Sequence, residues 1–155
     1  MAEDIAGGPG WISDGRTLRP VITDLVVFRE HHLEDPLTAA IEQLWSGHPL
    51  EALHQLSTHD ASPRVRALRG DCLRDLGRHA EALEVYRQLI KESEGGPREA
   101  VMRQHYGKAL LSAGDPHHAR QEFFQALHLR RLGSDDALIA SSQQALQVAD
   151  ECCRP

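Results

Sequence analysis

From Asp35 to the end of the chain, apolar residues recur with a period near 3.6, the signature of amphipathic helices. Leu37, Ala40, Ile41, Leu44 and Trp45 fall at i, i+3, i+4, i+7 and i+8, which predicts one helix with a single apolar stripe. Ser46-Gly47-His48-Pro49 ends it, and Pro49 suits the first turn of a second helix carrying Leu50, Leu53 and Leu56. Ser62-Pro63 reads as an N-cap followed by proline. The third stripe is Val65, Leu68, Cys72, Leu73 and Leu76, stopped by Gly77; the fourth is Ala82, Leu83, Tyr86, Leu89 and Ile90. Glu94-Gly95-Gly96-Pro97 is the strongest break in the chain. Met102, Tyr106, Ala109, Leu110 and Ala113 form the fifth stripe, and Ala119, Phe123, Ala126 and Leu127 the sixth. Ser134 is then expected to cap a last helix reaching about Cys152, burying Leu138, Ala145, Leu146 and Ala149.

The beginning of the chain has no such order. Five glycines and prolines stand at Gly7, Gly8, Pro9, Gly10 and Gly15, and residues 1–33 read as an irregular N-terminal leader before a helical domain over 34–155. Trp11 is the one large side chain among its first 19 residues that would gain from docking. Residues 20–33 are ambiguous: Val21, Leu25 and Phe28 could line a short helix, yet Val26 and Val27 suit a strand, and the helix is the preferred expectation.

The helix pairs repeat. Gly70, Leu73, Gly77, Ala82 and Tyr86 recur 37 residues later as Gly107, Leu110, Gly114, Ala119 and Phe123. The first pair matches through Gly47, Ala52 and Leu56 at a spacing of 30. On these residues the chain resembles the tetratricopeptide repeat family, whose helix–turn–helix unit of about 34 residues carries W-x2-L-G-x2-Y, then A and F. Gly70 with Leu73, then Ala82 with Tyr86, and their copies Gly107, Leu110, Ala119 and Phe123, carry the resemblance over about 36–131. Arg66 and Arg103 replace the family's tryptophan, and Arg69 and Tyr106 its motif leucine. The resemblance implies an all-α, right-handed α-solenoid of three helix–turn–helix pairs with a C-terminal capping helix. Small residues would let paired helices approach, with Tyr86 and Phe123 filling the gaps between pairs.

Such a fold implies a non-catalytic adaptor or scaffold whose concave groove takes a peptide or helix of another protein, an acidic one among the candidates. The groove is expected to be lined by Leu37 and Ile41, by Arg64, Ala67, Asp71 and Arg74, and by Val101, Gln104, Lys108 and Leu111. Asp71 stands where the family's carboxylate-gripping members have Asn, which argues against that specialisation. For the arginines of 64–78, a solvated face with partners such as Asp71 and Asp75 is the simpler expectation. The alternatives are a structural self-assembly unit, giving a homo-oligomer, and a metal- or small-ligand-sensing domain built on the histidines.

Charge and composition narrow these classes. The formal net charge is −6, but residues 64–131 hold 13 Lys and Arg against 9 Asp and Glu, while the rest of the chain holds 4 against 14. No dense basic face exists for counterion release, so nucleic acid is not an expected partner. No apolar run approaches the roughly 18 residues that cross a bilayer, and the start of the chain lacks a secretory pattern, so no membrane partner and a cytoplasmic location are expected. The three cysteines cannot pair completely. Among ten histidines, the adjacent pairs His31-His32 and His117-His118 point about 100° apart on a helix and chelate poorly. No H-E-x-x-H, Cys/His zinc spacing, G-x-S-x-G or phosphate loop occurs, and no cofactor is implied.

Overall fold

The computed structural model describes residues 1–155 and is mostly helical, with a small antiparallel sheet at the N-terminus. Strands β1 (Ile5–Gly8), β2 (Trp11–Ser13) and β3 (Pro20–Ile22) precede eight helices. These are α1 (Leu25–His31), α2 (Thr38–Trp45), α3 (Pro49–Leu56), α4 (Pro63–Asp75), α5 (His79–Ser93), α6 (Glu99–Ser112), α7 (Pro116–Arg131) and α8 (Asp136–Cys153). From α2 onward each helix packs against its successor, and α6 also touches both α4 and α8. No helix is long and apolar enough to cross a membrane.

Three turns, α2–α3, α4–α5 and α6–α7, are built alike. Gly47, Gly77 and Gly114 have φ of 86°, 77° and 84°, a left-handed backbone that glycine adopts without penalty. In each, the glycine N–H donates three residues back (to Leu44, Arg74 and Leu111), and the next N–H donates five back (to Gln43, Leu73 and Leu110). That pair of bonds satisfies the orphan carbonyls at a helix end. Pro49 and Pro116 then open the following helices at positions that need no N–H partner.

The two copies at the 37-residue spacing are equivalent in space. A Cβ built on Gly70 would stand 2.7 Å from Cζ of Tyr86, and one on Gly107 would stand 2.4 Å from Cε1 of Phe123. Both rings are fully buried and lie on the glycine of their own hairpin; Tyr86 also stacks on His105 of the next hairpin, with centroids 5.8 Å apart. Ser62 caps α4 as expected, accepting from the Val65 N–H at 3.2 Å. The cap of α8 is Asp135 rather than Ser134, and its carboxylate accepts from the Leu138 N–H at 3.1 Å. Leu138 and Leu50 belong to the predicted apolar stripes but lie exposed, each in the first turns of its helix where the preceding element does not cover it.

The leader departs most from expectation. It is a meander, with Ile5 opposite Ser13 and Ala6 opposite Ile12, then Trp11, Ile12 and Ser13 opposite Ile22, Val21 and Pro20. Strands of three or four residues cannot display alternation in a sequence, and these are held by what they dock on. Ser13 Oγ donates to Gln144 Oε1 of α8 at 2.8 Å, and Gln144 Nε2 returns bonds to the Glu3 and Ser13 carbonyls at 2.7 and 3.1 Å. Trp11 packs on Trp45 of α2 with centroids 4.7 Å apart, and Phe28 of α1 sits 5.6 Å from the same indole. Between these anchors Arg19 approaches Asp75 at the end of α4, at 3.4 Å. Leu18 holds φ at 58°, an unfavourable geometry for a leucine, while its side chain is 1% exposed within the same apolar cluster as Tyr86, Tyr106 and Phe123. The leader therefore runs from α8 past α4 to α2, tying the two ends of the helical array together.

Candidate functional site

A cavity of about 420 Å³ opens between α2, α4 and α6. Its helical walls come from Ile41 and Trp45 of α2, from Arg64, Ala67, Leu68, Asp71 and Arg74 of α4, and from Val101, Met102, His105 and Lys108 of α6. Arg98 closes one end, and Pro20 and His32 from the N-terminal segment complete the lining. No side chain of α3, α5 or α7 reaches it. Its size is that of a pocket for a small molecule or for a few side chains.

Seven of the ten residues expected in the groove are brought together here: Ile41, Arg64, Ala67, Asp71, Arg74, Val101 and Lys108. The other three are elsewhere. Leu37 is buried in the apolar cluster around Phe28 and Leu44. Gln104 is buried toward α8, accepting from Ser142 Oγ at 2.8 Å, while Arg130 donates to the same hydroxyl at 2.8 Å. Leu111 is half-buried against the cluster formed around Tyr106 and Phe123. The helical projection took no account of α1 and α8, whose Phe28 and Ser142 meet Leu37 and Gln104. Trp45, Leu68 and His105 were absent from the expected groove, although each stands four residues after an expected member (Ile41, Arg64 and Val101), the spacing that shares a helix face.

A polar network forms the floor. Asp71 is 6% exposed and accepts from the Tyr86 hydroxyl, from Nδ1 of His105 at 3.1 Å and from Nη1 of Arg74 at 3.3 Å. The Tyr86 hydroxyl also lies 2.7 Å from the Ala67 carbonyl oxygen. Arg74, equally buried, donates through Nε to Asp75 at 2.9 Å. Burial alone would raise the Asp71 carboxyl, but the charges of His105 and Arg74 and the hydrogen bonds from His105 and Tyr86 outweigh it and hold it well below the usual carboxylate range. Burial would likewise discharge Arg74; Asp71 and Asp75 more than offset that and keep it a cation. So Arg74 is a buried, doubly paired side chain and not the solvated one expected from its arginine-rich surroundings.

The remaining charges of the cavity are different. Arg64 reaches out to Asp35, with a two-pronged bond at 2.9 and 2.6 Å. Arg98 and Lys108 form no ion pair and no side-chain hydrogen bond within the chain. Lys108 is half-buried, and burial together with the nearby Arg74 pushes its ammonium down to about 8. The site thus offers apolar walls, a saturated polar floor and two uncommitted cations. No group of three or more His, Cys, Asp and Glu side chains is arranged to hold a metal ion. All three cysteines are free, and burial lifts the Cys72 thiol to about 12. No family model, no curated protein and no solved structure matches this chain.

Proposed function

We propose that the chain is a protein-interaction module of tetratricopeptide type. In this view α2–α3, α4–α5 and α6–α7 are stacked hairpins of a short right-handed solenoid, α8 is its cap, and the first helix of each pair lines a concave face that takes a segment of another protein. The observation that carries this is the composition of the cavity wall, which draws on α2, α4 and α6 and on no second helix of a pair. The leader lies over much of the same side, so the site left for a partner is the cavity between Trp45 and Lys108 rather than an open channel. The three free cysteines suit a reducing, cytoplasmic setting.

The charges describe the partner. Arg98, at the N-cap of α6, and Lys108 on that helix are ten residues apart, about 15 Å along the axis at 1.5 Å per residue. An extended strand covers that distance in about four or five residues at 3.3 Å each. The favoured ligand is an extended segment with two acidic residues at that spacing and apolar residues between them. Selection from a displayed random-peptide library against the full chain tests it, read by quenching of Trp45. Enriched acidic–apolar peptides that lose binding to Lys108→Glu and to Val101→Trp are the expected result; peptides indifferent to both substitutions would dismiss it.

Self-assembly is a second reading, favoured by Phe124, Leu132 and Leu138, which are 55%, 77% and 46% exposed along α7 and the start of α8. Light scattering across a concentration series decides it, since a strict monomer removes it.

A further inference from the structure

Lysine is scarce in this chain. Of 17 basic Lys and Arg side chains, Lys91 and Lys108 are the only lysines, and one of them stands in the cavity. Everywhere else the chain uses a guanidinium, which stays charged in any protein setting and is not a useful nucleophile; an amine can lose its proton and then attack. The surroundings of Lys108 favour that. The carboxylates whose charge acts on it, Asp71 and Asp75 of α4, are already engaged by Arg74, Tyr86, His105 and Arg19. Arg74 from α4 and Arg130 from α7 add positive charge, and His105 lies one turn away on its own helix. The walls that run from Lys108 toward Val101 carry Ala67, Leu68 and Met102.

We propose that Lys108 is a covalent site for an aliphatic aldehyde, held as an imine with its hydrocarbon chain lying in the cavity toward Val101. The neutral amine adds its lone pair to the carbonyl carbon and one N–H proton passes to the oxygen, giving a carbinolamine. The hydroxyl takes a solvent proton and leaves as water while the nitrogen lone pair forms the second C–N bond, and the resulting iminium returns its proton to solvent, leaving the imine. No oxidant or reductant takes part. This site goes beyond peptide recognition and does not depend on it, since a protein that selects no peptide could still carry the adduct.

The test uses the full chain with hexanal and, separately, acetaldehyde as probes. Adducts are trapped with cyanoborohydride and located by peptide mass mapping, with Lys91 as the internal standard. At pH 7.5 an amine titrating near 8 is neutral for about a quarter of the time, against about 0.1% for an ordinary lysine. Allowing for the weaker nucleophilicity of the less basic amine, Lys108 should be labelled at least about tenfold faster than Lys91. Hexanal should exceed acetaldehyde at Lys108 and not at Lys91, and Val101→Asp should remove that chain-length preference while Lys108 still reacts. Equal labelling of the two lysines overturns the proposal, as does the absence of a hexanal preference at Lys108. Because both lysines are read in the same unmodified molecule, neither of these two overturning results depends on whether Val101→Asp folds.

Discussion

Replacing Gly107 by alanine probes the close approach on which the helix pairs rest. The added methyl would lie 2.4, 2.6 and 2.9 Å from three ring carbons of Phe123, where about 3.4 Å is the ordinary lower limit, so the ring must retreat by about 1 Å. Phe123 is 0% exposed and lies in the apolar core cluster, so its retreat displaces neighbouring side chains. Overpacking of this kind costs about 1–3 kcal/mol, and this contact sits at the upper end. Alanine returns about 1 kcal/mol by its better helix propensity. A net loss of about 2 kcal/mol follows, or roughly 4–8 °C in Tm for a domain of this size. Urea unfolding followed by circular dichroism would measure it, with Gly114→Ala as a comparison. Gly114 has open space around it and only its φ of 84° to object, at about 1 kcal/mol. The decisive measurement is the cycle with Phe123→Leu: trimming the ring should relieve the methyl, so the double variant should be at least about 1 kcal/mol more stable than additivity allows. If Gly107→Ala is neutral, or if the two changes simply add, the packing described here is wrong.

Four further outcomes are expected. Asp71→Ala should destabilise the fold by about 3 kcal/mol, since it strips a buried arginine and a buried hydroxyl of an acceptor, and thermal melts would detect a smaller loss if the network were loose. Because the folded-state Asp71 carboxyl is depressed, its contribution is complete above the unfolded value near 4 and fades as pH falls toward the folded value; an acid titration of the wild type and Asp71→Asn should diverge above pH 4 and converge below it. Lys108 has the opposite sense: with its ammonium lowered to about 8, the unfolded chain binds the extra proton between about 8 and 10.4. Wild-type stability, corrected by Lys108→Met, should therefore rise with pH through that window, by no more than about 1 kcal/mol for a half-exposed group. Gln144→Ala should cost about 1–3 kcal/mol by leaving the Ser13 hydroxyl and two leader carbonyls unpaired, and it should speed amide exchange in β1 and β2 more than in α5.

The helical part was legible because its signals are local. Apolar residues at 3.6-residue spacing, Ser62 before Pro63, and the glycines at 47, 77 and 114 each act over one or two turns, and the helices begin and end close to them. The 37-residue echo picked out the glycines and the rings, but it set Tyr86 and Phe123 in the gaps between pairs, whereas each lies on the glycine of its own hairpin. What was hidden depends on distant chain. The leader's strands are three or four residues long and gain their order from α8 and α2, more than a hundred and about thirty residues away respectively. Gln104 was placed in the groove because its own helix aims it there; Ser142 and Arg130, which take it out, lie on helices whose position no local pattern specifies. Arg74 misled for a similar reason. An arginine among arginines reads as solvated, whereas Asp71 and Asp75, which pair with it, are enclosed together with it by elements that no local pattern specifies.

The bonds between Ser13, Glu3 and Gln144 have a consequence for how this molecule is made. They close over 131 and 141 residues, whereas each hairpin closes within its own few dozen. A ribosome adding about 5–20 residues per second would finish α2 through α7 in order, each able to settle on its neighbour as it emerges. The glycine-rich strands have no α8 to meet until more than a hundred further residues have been added. For the several seconds or more that this takes, the Ser13 hydroxyl and the Glu3 carbonyl lack their partner Gln144, and nascent chains stalled before residue 136 should carry residues 1–13 open to protease.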